Sequence, residues 1–282
     1  MANIFKQPEP GLPADEVPDT LGKFLFRNYR QWPDRVALRQ KDFGIWQACN
    51  WKACYARAKE FALGLLSLGF QTEDRLIFIG DNEFESYWGM YGTLAVGGVV
   101  VGVWVDALAE EVAYYLKDCK PRFALVRDQE QIDKLLSIKT GDRSSLEKAI
   151  YWEPRGMNEP MYVDNPWIMS FQELTDMGRR FEKGHEKAFE ESIYDISGGT
   201  PAAMYYTSGT TGGAKGVVSD GLTPLADLLP EFVANGGQVW LCGACTKPRG
   251  ITEDQLAPGV KIVGAAKIVE TVAEGATPIA FA

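Results

Sequence analysis

Arg75-Leu-Ile-Phe-Ile-Gly80, Gly98-Val-Val-Val-Gly-Val103 and Phe123-Ala-Leu-Val126 decide the fold. Each is a short, continuous apolar run, which is how a strand buried on both faces reads. Between them, residues 83–94 and 108–116 place apolar side chains at helical spacing. Strand, helix, strand, helix, strand predicts an α/β fold with a doubly wound, mostly parallel sheet. A helix over 129–136 and a strand at Ala202-Ala-Met-Tyr-Tyr206 continue the pattern.

Upstream, Asp19 is the expected N-cap of a helix through Leu21, Phe24, Leu25 and Tyr29 toward Trp32-Pro33. Val36-Ala-Leu-Arg-Gln40 and Ile45-Trp-Gln-Ala48 read as paired short strands. Asn50 caps a long amphipathic helix that Gly69 ends. Residues 1–16 read as an irregular acidic arm. Downstream, residues 139–200 are more polar, and only Ala149-Ile-Tyr-Trp152 reads there as a strand. Beyond Ser219 the alternation resumes: helix over 222–232, strand Gln238-Val-Trp-Leu-Cys242, strand Val260-Lys-Ile-Val263, helix over 265–273 and strand Pro278-Ile-Ala-Phe281.

The chain has 282 residues, 46% of them hydrophobic, which allows one large domain or two modest ones. Its 29 basic and 38 acidic residues leave a net charge of −9, with one histidine. So acidic a chain lacks the clustered cations that bind nucleic acid. The N-terminus shows no apolar signal segment. The longest apolar run, residues 94–105, is broken by Gly97, Gly98 and Gly102 and is shorter than the ~20 residues a membrane span needs. Five scattered cysteines, Cys49, Cys54, Cys119, Cys242 and Cys245, do not form a disulfide framework. The expected location is the cytoplasm.

Tyr206-Thr-Ser-Gly-Thr-Thr-Gly-Gly-Ala-Lys-Gly-Val217 is the candidate phosphate loop. Glycines let backbone amides turn toward an anion, hydroxyls add donors, and Lys215 adds a point charge. Ala214 before the lysine and Gly216 after it exclude a Walker P-loop, and G-x-G-x-x-G is absent. A flexible linker is the other reading of such a composition.

The segment resembles the signature loop of the AMP-forming adenylating enzymes. Trp51-Lys-Ala-Cys-Tyr55, Ala109-Glu-Glu-Val-Ala-Tyr-Tyr-Leu116 and Ile150-Tyr-Trp-Glu-Pro-Arg-Gly156 are similar to their long-chain acyl-CoA synthetase branch. The resemblance covers residues 15–218. It departs at Ala214, where the family usually has proline, and at Ser219-Asp220, where many members have Ser-His or Thr-His. It implies ATP with Mg²⁺, a fatty acid substrate and coenzyme A as co-substrate, with no tightly bound cofactor. It assigns the phosphates to Thr207, Ser208, Gly209, Thr210, Thr211, Gly212 and Lys215. The family's later adenine, ribose and catalytic-lysine segments have no counterpart here, so catalytically incomplete adenylation is expected. Gly250-Ile-Thr-Glu253 is read as a coincidental match to the first of them.

Cys242-Gly-Ala-Cys245 follows a strand. From spacing alone it stands open between half a zinc site, a redox dithiol, a reactive thiol and two ordinary buried thiols. Asp220-Gly-Leu-Thr-Pro-Leu-Ala-Asp-Leu-Leu-Pro-Glu-Phe232 and Gly236-Gly-Gln-Val-Trp-Leu-Cys-Gly-Ala-Cys245 resemble the second half of a flavodoxin-like DsrE/F sulfur-relay domain. That resemblance implies a persulfide on Cys242, relayed or resolved by Cys245, with sulfur-relay partners and a homo-oligomer. With no second cysteine pair and His185 distant in sequence, no metal ligands are expected. The expected organisation is therefore an incomplete adenylating-enzyme N-terminal region, residues 1–218, joined to a DsrE/F-like half domain, residues 219–282. The abrupt join suggests a chimera. The reading ranks nucleotide binding first, a Cys242 sulfur carrier second and an inert chimera third. His185 and the remaining cysteines read as surface and core residues, respectively. The Trp and Tyr residues between 87 and 115 read as core or as an acyl-pocket lining.

Overall fold

A computed structural model describes residues 18–207, 215–219, 233–234, 239–242, 252–253, 256 and 258–264. The chain divides into two compact units, Met1–Gly221 and Leu222–Ala282. The first opens with helix α1 (Leu21–Gln31), an antiparallel hairpin of β1 (Val36–Asp42) and β2 (Ile45–Asn50), and helix α2 (Trp51–Ser67). Then β3 (Arg75–Ile79), α3 (Phe84–Ala95), β4 (Val99–Val103), α4 (Ala109–Cys119), β5 (Phe123–Val126) and α5 (Gln129–Ser137) alternate as expected. They are followed by β6 (Lys148–Tyr151), α6 (Pro160–Val163), β7 (Ile168–Ser170), α7 (Phe171–Glu182), α8 (Ala188–Asp195), β8 (Ala203–Thr207) and β9 (Lys215–Ser219).

These strands form one seven-stranded sheet in the order β7-β6-β5-β3-β4-β8-β9. All neighbours are parallel except β9, which runs antiparallel to β8. Successive side chains of a strand point to opposite faces. Leu76, Phe123, Leu125 and Ile150 therefore join a core with residues from α1, α2, α3, α7 and α8. Ile77, Ile79, Ala124, Val126 and Ala149 join a second core with α4 and α5. This double burial is why β3, β4 and β5 read as unbroken apolar runs.

Local chemistry sets the helix starts. Asn50 caps α2, its side chain accepting from the Ala53 N–H at 2.8 Å. The α1 cap is Thr20, not Asp19. Asp19 instead pairs with Lys23 at 2.7 Å and accepts from the Gly198 N–H at 2.8 Å. The polar stretch 139–200 holds more structure than its composition predicts. Its α7 starts with a capping box between Ser170 and Glu173 and packs tightly along α2. At the crossing a Cβ on Gly178 would strike the Glu60 carbonyl, and one on Gly64 the Leu174 carbonyl.

In the second unit, β10 (Val239–Cys242) and β11 (Val260–Val263) form a parallel pair, with Cys242 opposite Val263. The expected helices over 222–232 and 265–273, the strand at 278–281 and the arm 1–16 lie outside the described residues. Among the described residues, no helix is long and apolar enough to cross a membrane.

Candidate functional site

The glycine-rich segment leaves the sheet at its carboxyl-terminal edge, where open α/β sheets bind ligands. Thr207 is the last residue of β8 and Lys215 the first of β9, and the two stand opposite each other in register. Lys215 thus belongs to a strand and not to the loop interior. Strand β9 is an element that the sequence reading missed. Ser208, Gly209, Thr210, Thr211 and Gly212 lie outside the described residues.

Tyr206, one residue before the mouth, is fixed to α4. Its hydroxyl donates to Asp118 Oδ2 at 2.7 Å. Its ring lies 4.4 Å from that of Tyr115 and 6.3 Å from that of Tyr114. Burial and the Asp118 carboxylate push the Tyr206 hydroxyl pKa up, so it stays a donor at neutral pH. These tyrosines therefore brace the mouth. The other aromatics divide: Trp88 and Tyr91 pack against the first core, whereas Trp104 is exposed.

Along the same edge, the ends of β3, β5 and β6 carry a polar cluster that the sequence reading did not single out. Arg127 contacts Glu83 at 3.0 Å, Asp128 at 3.0 Å and Asp81 at 3.3 Å. The Trp152 indole N–H donates to Glu83 Oε2 at 2.6 Å, and its ring stacks on Phe78 at 5.7 Å. Asp42 and Phe43 from the β1–β2 hairpin complete an open cleft of about 380 Å³. The hairpin is tied to α3 through Gln40 Oε1, which accepts from the Phe84 N–H at 2.8 Å. Burial pushes Glu85 in this cleft above the ordinary carboxyl range, and nearby Glu83 adds to the shift.

In the second unit Cys242 ends β10, and Cys245 lies outside the described residues. His185 is exposed, with its ring stacked 4.0 Å from that of Phe181. Among the described residues, no group of three or more His, Cys, Asp or Glu side chains is arranged to hold a metal.

The first unit is thus a doubly wound α/β domain in which the glycine- and hydroxyl-rich sequence joins two strands at the carboxyl edge. Residues 25–228 match the AMP-binding enzyme family, and the chain belongs to that family. Residues 208–281 also match the DsrE/DsrF-like family, so the two matches share residues 208–228. Over 242 residues the chain is 25% identical to the human long-chain-fatty-acid–CoA ligase ACSBG2, covering 86% of this chain and 33% of that protein. The rat ligase ACSBG1 is 27% identical over 203 residues, or 72% of this chain and 27% of that protein. The chain thus spans a third or less of the length of these relatives. Among solved structures, acetoacetyl-CoA synthetase from Streptomyces lividans has the same fold at TM-score 0.59 and 20% identity, over 71% of this chain and 30% of that one. The anthranilate CoA ligase AuaEII, in complex with anthranoyl-AMP, matches at TM-score 0.56 and 20% identity, over 74% of this chain and 36% of that one.

Proposed function

We propose that the first unit binds ATP, with residues 207–215 around its phosphates and Lys215 as the point charge for them. The observation that supports this most is the pairing of Thr207 with Lys215 at the carboxyl edge of a parallel sheet. It sets the two ends of the glycine-rich stretch opposite each other at that edge, which supports a phosphate loop over a linker. Amide N–H groups and hydroxyls of residues 207–212 then supply donors to the phosphate oxygens, and Mg²⁺ arrives with the nucleotide.

Family membership supports carboxylate activation as the reaction class. A carboxylate oxygen attacks the α-phosphorus of ATP, an acyl-adenylate forms, and pyrophosphate leaves. The loop would hold that leaving group. The likeness to fatty-acid–CoA ligases supports a long-chain acid as the carboxylate and coenzyme A as the later acceptor. Because this chain spans 33% of the human relative, the proposal rests on nucleotide binding and not on turnover. Calorimetric titration with Mg-ATP tests it: saturable binding is expected, weakened at least ~10-fold in Lys215→Ala, a loss of about 1.4 kcal/mol. Equal binding by both proteins would remove the loop from the site.

A second reading, independent of the first, is supported by Cys242 at the end of β10 and by the match over 208–281. Cys242 then carries sulfur as a persulfide. A persulfide donor should add about 32 Da to the peptide bearing Cys242 and nothing in Cys242→Ser.

A further inference from the structure

The β1–β2 hairpin belongs to neither reading, and its turn carries a cost. Asp42 and Ile45 are its last facing pair, so Phe43-Gly44 is a two-residue turn. Both central residues have positive φ, 44° at Phe43 and 84° at Gly44. That geometry calls for Asn, Asp or Gly at the first position, and a bulky side chain there is strained. Phe43 gains no burial in return, since it is 92% exposed. Ile45 and Trp46 beside it are 65% and 66% exposed. Strain kept at an exposed aromatic points to a role outside the fold.

The two faces of the hairpin differ. Gln40 turns inward to accept from the Phe84 N–H, and Leu38 and Cys49 pack in the first core. Side chains alternate along a strand, so Arg39 and Lys41 face outward. Ala48 stands opposite Arg39 and Trp46 opposite Lys41, and all four are exposed. Among the described residues, Arg39 and Lys41 make no ion pair. Asp42, the hairpin's one acidic residue, shares the inner face with Gln40 and lines the cleft near Arg155. The outer face is thus cationic and apolar, in a chain of net charge −9.

We propose that the outer face and tip of this hairpin form a docking surface for an anionic phospholipid bilayer.

Size and charge select that occupant. A protruding two-stranded tip is too small for a stable protein partner, which needs about 800 Å² on each side. A bilayer asks for less: Trp and Phe lodge at headgroup depth, and cations meet the lipid phosphates. Strand rise puts Lys41 about 7 Å and Arg39 about 14 Å behind Phe43. With the aromatic tip in the interface, Lys41 reaches the headgroups and Arg39 lies just above them. The chain's acidic remainder is screened beyond about 8 Å at physiological ionic strength, so the contact stays confined to this patch.

Co-sedimentation of the full chain with large vesicles tests this, using phosphatidylcholine alone and phosphatidylcholine with roughly 30% phosphatidylserine. Binding to the anionic vesicles is expected to be at least ~10-fold tighter than to the neutral ones, and to weaken in high salt. Replacing both cations, Arg39→Gln with Lys41→Gln, should remove that difference. Phe43→Asn supplies the residue that the turn geometry prefers, so its Tm should equal or exceed the parent's. It should nevertheless bind anionic vesicles about 10-fold more weakly, because the apolar tip is gone. The proposal is overturned if the parent chain does not sediment with anionic vesicles, or if Phe43→Asn or the double variant binds them as well as the parent does. A parent chain that ignores vesicles but forms a dimer that Phe43→Asn disperses would also overturn it, and would assign the tip to a second copy of the chain.

Discussion

Strand β5 is flanked by two arginines, Arg122 at its start and Arg127 at its end, and the two edges of the sheet differ in what these arginines do. Arg122 closes its edge. It pairs with Asp74 at 2.9 Å and Glu147 at 2.8 Å, the residues just before the neighbouring strands β3 and β6. It also donates to the Leu68 carbonyl at 3.3 Å and to that of Gly69. Among the described residues Arg127 has only carboxylate partners, and its edge stays open as the cleft beside the polar cluster. The two side chains are similarly accessible, at 24% and 26%. What differs is the partner. A clamp on backbone carbonyls cannot relax into water, whereas surface carboxylates can. One edge therefore serves stability, and the other is free to serve binding.

Breaking the closed edge should have the largest effect. Arg122→Ala should cost about 2 kcal/mol, because two carbonyls and two carboxylates lose a charged donor. That is a fall in Tm of roughly 4–8 °C, read by thermal unfolding. Arg127→Ala should cost about 1 kcal/mol or less, since Glu83 keeps its Trp152 donor at 2.6 Å. Equal losses at the two arginines would contradict the distinction between the edges. Tyr206→Phe removes one hydroxyl bond to Asp118 and should cost about 0.5–1 kcal/mol. Chemical denaturation with an unchanged m-value would show that only stability changed.

Glu85→Gln should act in the opposite direction. Burial raises the Glu85 pKa above its ordinary 4.5, so the folded chain holds that proton more tightly than the unfolded chain does. The resulting stabilisation is full below 4.5 and is lost as pH rises through the folded value. The glutamine variant should therefore melt higher than the parent at pH 7, with the gap narrowing toward pH 4. A gap that is constant with pH would remove the charge from the explanation.

Strands β3, β4 and β5 were legible in the sequence because both of their faces are buried, leaving unbroken apolar runs. Helix α7 was not, because its buried face includes Thr175 and Gly178 beside Phe171 and Leu174. Close approach to α2 selects a glycine there, which erases the apolar stripe that marks a helix. Strand β9 was hidden for a related reason: Lys215-Gly-Val-Val-Ser219 follows a glycine-rich string and, among the described residues, pairs with β8 alone. The mouth of the loop was legible, since its residues are contiguous. The cleft was not, because residues 40–43, 83–85, 127 and 152–155 meet only once the strands are ordered.

In the proposed function, nucleotide binds at the open edge through the connection between β8 and β9. Thermal unfolding with and without Mg-ATP, on the parent chain, Lys215→Ala and Arg122→Ala, tests it most directly. Ligand at 100 times its Kd adds about 2.7 kcal/mol to stability. The account predicts a higher Tm with Mg-ATP in the parent and in Arg122→Ala, the latter from a lower starting point, and little or no rise in Lys215→Ala. A full rise in Lys215→Ala, or none in the parent, would contradict it.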